Sequence, residues 1–172
     1  MEKDKREKVN VLFICTGNTC RSPMAEQLFA DRLRRDKCAS IADVSSAGLY
    51  AEEGQPMTPE AAGVLAELNV TVHPHKSRPV TIDVLQNADI IVCMTEGHRD
   101  ALFASPAYGY AASDGQFRIV GTVRELTGED VSDPYGKGVD AYRKTAESLV
   151  KMCGPLEDAV KKFREEHKIK LS

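Results

Sequence analysis

The sequence predicts an α/β fold, a single domain built on a doubly wound sheet of four parallel strands with helices on both faces. Three observations predict it. Short apolar runs alternate with stretches of helical periodicity along the chain. One run, Ala88-Asp89-Ile90-Ile91-Val92-Cys93-Met94, is apolar enough to be a central strand buried on both faces. The first run, Val11 to Ile14, passes through a short polar loop directly into a helix start.

Taken in order, residues 1–8 carry charges of both signs and read as a solvated tail, which leaves 9–172 as the domain. Val11-Leu12-Phe13-Ile14 suits a buried strand. Ser22 is a good N-cap, and Pro23 would then take the first helical position, where its missing N–H costs nothing. Met24, Ala25, Leu28, Phe29 and Leu33 recur at helical spacing, so a helix is expected from about Pro23 to Asp36. Ile41 to Gly48 reads as a second strand ending at glycine. Thr58-Pro59 opens a second helix with Ala61, Val64, Leu65 and Leu68 on one face. The two prolines among residues 70–79 make that stretch irregular. Thr95 caps a helix reaching about Phe103, residues 105–116 read as loop, and Phe117 to Val120 is the fourth strand. A last helical pattern runs from Val139 to Phe163, and Gly154-Pro155 is expected to kink or break it. His73 and His98 are expected to be solvated, and Cys93 to be an inert core residue.

Composition bounds the function. At 172 residues the chain can bury one proper core. Its net charge of -3 gives no basic field to attract nucleic acid. No apolar run approaches membrane-spanning length and no signal peptide is evident. The five cysteines are an odd number without disulfide-framework spacing, which points to a reducing cytoplasm. Cys15-x4-Cys20 stands without a second pair or a nearby His, so no metal site is expected, and no cofactor.

The loop between the first strand and the first helix carries the chemistry. A helix N-terminus offers unpaired N–H groups and the positive end of its dipole, a ready anion site. Arg21 adds a donor fork that matches two phosphate oxygens. Cys15 opens the loop, where helix end and arginine both favour a thiolate. A nucleophile thus stands at the floor of a phosphate cradle. Transfer to a thiolate also needs an acid facing it to protonate the leaving group. Asp133 and Asp130 are the candidates in the polar stretch from Thr127 to Gly138. Pro134 biases Asp133 toward extended backbone.

The run C-T-G-N-T-C-R-S-P-M-A-E, from Cys15 to Glu26, resembles the signature of the low-molecular-weight protein tyrosine phosphatase family. The resemblance covers nearly the whole chain after about residue 9. It implies a flavodoxin-like fold of the phosphatase type. It also implies Cys15 as nucleophile and Arg21 as ligand of the phosphoryl oxygens. The loop is completed by Thr16, Gly17, Asn18, Thr19, Cys20 and Ser22, with Asn18 shaping it and Ser22 hydrogen-bonding the thiolate. Ser46-Ala47-Gly48 resembles the element whose serine braces the loop from the next strand. His75-Lys76-Ser77-Arg78 resembles the segment whose histidine supports that serine. Tyr50 matches one wall of the entrance. Asp133-Pro134-Tyr135 looks like the acid loop, with Tyr135 flanking the mouth.

Within that family, Thr19 stands where tyrosine-directed members usually carry a bulky aliphatic residue. This looks like the bacterial branch that includes protein-arginine phosphatases, so phosphoarginine on proteins is the expected substrate and phosphotyrosine the alternative. Tyr135 and the His75 segment look more like the tyrosine branch. The resemblance further implies a reversible Cys15–Cys20 bridge on oxidation. Phosphorylated proteins are the expected partners, with the chain a monomer or weak dimer. A thioredoxin-coupled arsenate reductase shares the fold but needs two further cysteines in relay, and none occurs from 94 to 152. A non-catalytic phosphate-binding module would lack the acid, whereas Cys15, Arg21 and Asp133 are all present.

Overall fold

Strand β1 (Val9–Cys15) sends alternate side chains into two separate cores. The computed structural model describes residues 8–168. Val9, Val11, Phe13 and Cys15 join one core, and Leu12 and Ile14 join the other. Helix α1 (Arg21–Arg35), strand β2 (Ala42–Gly48) and helix α2 (Pro59–Glu67) follow. Then come α3 (Ile82–Asn87), β3 (Ile90–Cys93), α4 (Glu96–Ala104), α5 (Pro106–Ala112), β4 (Ile119–Thr122), α6 (Val123–Thr127) and α7 (Val139–Lys168). The sheet runs β2-β1-β3-β4, every pair parallel.

Strand β3 divides its side chains as β1 does. Ile90 and Val92 face the first core, and Ile91 and Cys93 the second. That two-sided burial is what its unbroken apolar run demanded. The first core takes Met24, Ala25, Leu28, Phe29 and Leu33 from α1, Val64 and Leu65 from α2, and Tyr142, Leu149, Leu156 and Val160 from α7. Phe13 and Phe29 meet edge to face there, with centroids 6.0 Å apart at 81°. Such a pair adds about 1 kcal/mol beyond the area it buries. The second core takes Leu85 from α3, Leu102 from α4 and Ala111 from α5. Helices therefore cover both faces, as expected.

Several boundaries differ from the expectation. The stretch 105–116 is not all loop. Ser105 accepts a bond from the Tyr108 N–H, Pro106 takes the first turn, and α5 follows. The Thr81 and Thr122 side chains likewise cap α3 and α6. Helix α7 continues unbroken through Gly154-Pro155. A proline removes one rung of the helix ladder. Here its ring lies on the exposed face, where water can take the freed carbonyl, while Met152, Cys153 and Leu156 stay buried on the other. Of the charged tail only Lys8 falls within the described residues, and its Nζ lies 3.2 Å from Asp43 Oδ1. Among the described residues no helix is long and apolar enough to cross a membrane.

Candidate active site

The strand order reverses at β1: the chain leaves it for β2 on one side and returns to β3 on the other. Ligands in open α/β sheets bind at the carboxyl ends of the strands beside such a switch. Cys15 is the last residue of β1 and stands at that point. The loop after it ends in α1, which starts at Arg21 and has Cys20 at its cap with no side-chain capping bond. Helices α2 to α6 each begin on a Thr or Ser that caps them. Helix α1 thus keeps its N-terminal donors for something outside the helix.

Ser22 was expected at that cap and is not there. Its Oγ lies 2.8 Å from Cys15 Sγ and accepts a bond from Asn18 Nδ2 at 2.9 Å. Pro23 moves two places further into the first turn, to the third helical position, where the N–H is still unneeded. Because Ser22 Oγ accepts from Asn18, its own proton is free to point at sulfur. The Asn18 backbone N–H also points at Cys15 Sγ, at 3.3 Å.

Asn18 is the hub of the cradle. It is fully buried, in the left-handed region at φ 58°. Its side-chain oxygen accepts from the Arg78 N–H at 3.0 Å, which fixes the amide's orientation. Its Nδ2 then donates to Ser22 and to Ser46 Oγ, the second also at 2.9 Å. Ser46 in turn donates to Glu26 Oε2 at 3.3 Å. The network therefore has one sense, with Asn18 driving a proton toward Cys15 on one side and toward Glu26 on the other.

His75 was expected to support Ser46. Its Nε2 instead lies 2.7 Å from the Asn18 carbonyl, and its Nδ1 lies 3.7 Å from Glu26, so it reaches Ser46 only through Glu26. Burial opposes a charge on His75, but Glu26 and the Asn18 carbonyl outweigh it and raise the imidazole above its usual range.

Arg21 is buried and donates from Nη1 to the Val131 carbonyl at 3.0 Å. Its Nη2 lies 3.9 Å from Asp133 Oδ2. The other Asp133 oxygen accepts from the Tyr135 N–H at 3.1 Å, which aims the carboxylate. Asp130 is engaged elsewhere. It accepts from the Glu96 N–H at the start of α4, at 3.2 Å, and pairs with Arg124. Of the two acids, only Asp133 lines the pocket. Cys15, Thr16, Gly17, Asn18, Thr19, Cys20, Arg21, Asp133 and Tyr135 surround a cavity of about 220 Å³. Tyr50 was expected at its wall. Its N–H donates to the Thr16 carbonyl at 2.9 Å, but its ring stands in solvent and is not part of the lining.

His98 is the residue the sequence reading missed. It is buried, not solvated, and its Nε2 lies 2.9 Å from Thr16 Oγ1. Burial first, and Arg21 next, push it down to about 4 against the pull of Asp133 and Asp130. Nothing in its sequence neighbourhood marks it, beyond a position in the first turn after the Thr95 cap.

All five cysteines are free thiols. Cys20 Sγ lies 3.3 Å from the Tyr142 hydroxyl. Burial pushes Cys93 and Cys153 each up to about 12, which leaves them poor partners for a thiol relay. Among the described residues no three His, Cys, Asp or Glu side chains gather as a metal site would require.

A thiol and a guanidinium on one anion-binding loop, at the switch point of a parallel sheet, define a cysteine-based phosphate chemistry. The chain belongs to the low molecular weight phosphotyrosine protein phosphatase family, whose model matches residues 10–166. It is 35% identical over 160 residues to the protein-arginine-phosphatase of Bacillus subtilis, covering 91% of this chain and 99% of that one. It is also 35% identical over 148 residues to the low molecular weight protein-tyrosine-phosphatase PtpB of Staphylococcus haemolyticus, covering 86% and 97%. Among solved structures, the YwlE arginine phosphatase superposes with a TM-score of 0.78 at 33% identity, covering 90% of this chain and 97% of that one. That structure is a cysteine-to-serine mutant with a phosphorylated active site serine.

Proposed function

We propose that this chain is a cytoplasmic protein phosphatase working through a phosphocysteine on Cys15, with phosphoarginine its preferred substrate. The observation that carries the reading is the convergence of Cys15, Arg21 and Asp133 on one cavity. The Cys15 thiolate attacks phosphorus in line, forming the S–P bond as the P–N bond breaks. Loop N–H groups and Arg21 hold the equatorial oxygens. Asp133 gives its proton to the departing guanidine nitrogen. The ionised carboxylate then takes a proton from water, which attacks phosphorus, breaks the S–P bond and releases inorganic phosphate. Phosphate on the serine of the YwlE mutant supports the covalent step.

The arginine preference rests on Thr19, which lines the cavity. A hydroxyl there suits a polar guanidinium, where a larger aliphatic side chain would favour a phenol ring. Tyr135 can stack on either. In the test, Cys15→Ser abolishes turnover of an aryl phosphate. Thr19→Ile shifts the ratio of phosphoarginine to phosphotyrosine peptide hydrolysis toward tyrosine by about 10-fold or more. An unchanged ratio removes the arginine preference, and turnover by Cys15→Ser removes the mechanism.

Cys20 gives the same loop a redox role, forming a bridge to Cys15 once its thiol leaves Tyr142. Inactivation by mild peroxide should then be reversed by added thiol in the wild type and become irreversible in Cys20→Ser. Equal recovery in both would rule the bridge out.

A further inference from the structure

We propose that His98 is a positioning residue of the cradle: it donates from Nε2 to Thr16 Oγ1, locks the first residue after Cys15 against the acid loop, and leaves the Thr16 hydroxyl proton free for a bound phosphoryl oxygen. This deepens the phosphatase reading and rests on it.

The geometry comes from one short segment, Met94 to His98, at the carboxyl end of β3. The Met94 N–H donates to the Ile14 carbonyl at 2.9 Å, and its own carbonyl accepts from the Val131 N–H at 3.0 Å. The Glu96 N–H donates to Asp130. The Thr95 hydroxyl caps the His98 N–H at 3.0 Å. Arg21 reaches the same loop through the Val131 carbonyl. The segment therefore touches β1, the stretch that carries Asp133, and, through His98, the cradle itself.

Thr16 is held from two sides. The Tyr50 N–H takes its carbonyl and His98 takes its hydroxyl. The direction of the second bond follows from what His98 lacks. Its Nδ1 is buried and has no hydrogen-bond partner among the described residues. A buried N–H without an acceptor is costly, and a bare lone pair is the milder defect. The proton of the uncharged ring therefore belongs on Nε2, facing Thr16. The charged groups facing His98 are Arg21, Asp133 and Asp130. Burial together with Arg21 keeps the ring uncharged at neutral pH. Thr16 Oγ1 then accepts from the imidazole, and its own proton can turn into the cavity that Thr16 lines.

The test compares His98→Leu, His98→Gln, Thr16→Val and the His98→Leu/Thr16→Val double variant. One readout is kcat/KM on an aryl phosphate. The other is protection of Cys15 from iodoacetamide by inorganic phosphate, which needs no turnover. We expect His98→Leu and Thr16→Val each to lower kcat/KM and weaken phosphate protection by about 10-fold. The double variant should be no worse than the worse single one, because both remove the same bond. Gln, whose amide can donate from nearly the same place, should stay within about 3-fold of wild type. Independent losses that multiply in the double variant, failure of Gln to rescue, or full protection in Thr16→Val would each overturn the assignment. Should His98→Leu fail to fold, Thr16→Val and His98→Gln still decide it. If the wild type does not turn over aryl phosphate, the phosphatase reading fails by itself, while phosphate protection continues to score His98.

Discussion

Asn18 sits at φ 58°, a region that asparagine tolerates better than most side chains, and its amide spends both protons inside the cradle. Replacing it by alanine would strain the backbone and leave Ser22, Ser46 and the Arg78 N–H short of partners. At the same scale the structure separates two aspartates that the sequence leaves side by side. Asp133 lines the cavity beside Arg21, whereas Asp130 closes the start of α4. Asp133→Asn is therefore expected to lower kcat by about 100-fold or more, the usual worth of a general acid. Asp130→Asn should keep kcat within about 10-fold and change the melting temperature only slightly, since the amide oxygen still accepts from the Glu96 N–H and only the exposed ion pair with Arg124, worth about 0–1 kcal/mol, is lost. Steady-state kinetics and thermal melts on the two variants would check this, and a reversed order would transfer the acid role to Asp130.

At the scale of elements, the end of β2 presses on the cradle. A Cβ on Gly48 would lie 2.5 Å from the Thr16 carbonyl oxygen and 3.0 Å from the Asn18 nitrogen. Neither atom can yield without moving the loop. Gly48→Ala is expected to lower kcat/KM by roughly 10- to 100-fold, because misplacement of about 1 Å costs that much. Phosphate affinity should fall with it, and an unaltered inhibition constant for phosphate would refute the contact. Helix starts show how local rules were readable. Thr58-Pro59 gave α2 correctly, and the same rule applied to Ser105-Pro106 would have given α5. Thr122 and Glu125 form a capping pair that marks α6 in the same way. Ser22-Pro23 misled for a physical reason: a hydroxyl with a sulfur and an amide in reach has better partners than a helix end.

Across the whole molecule, folding stability should carry the signature of its two buried imidazoles. His98 is held at about 4 against an ordinary 6.5, so as pH falls through that window the unfolded chain binds the proton first and stability drops. His75 is raised, so its contribution is complete below the ordinary value and fades as pH climbs through its folded one. The melting temperature of His98→Gln, measured against wild type, should therefore gain on going from about pH 7 to about pH 5. A gap that stays constant would mean that His98 titrates as it does in water.

By itself the sequence determined the alternation of strands and helices, the two-sided strand β3, and the chemistry of the loop from Cys15 to Ser22. These are written in contiguous residues whose spacing dictates backbone geometry and whose side chains act on near neighbours. Only the tertiary structure decided where His75 delivers its bond, that the Tyr50 ring stands outside the cavity, and that His98 is buried against Thr16. Those contacts join residues tens of positions apart, Thr16 to His98 and Arg21 to Val131 among them. Their partners are set by how parallel strands bring loop ends together at one edge of the sheet, and no local periodicity records that.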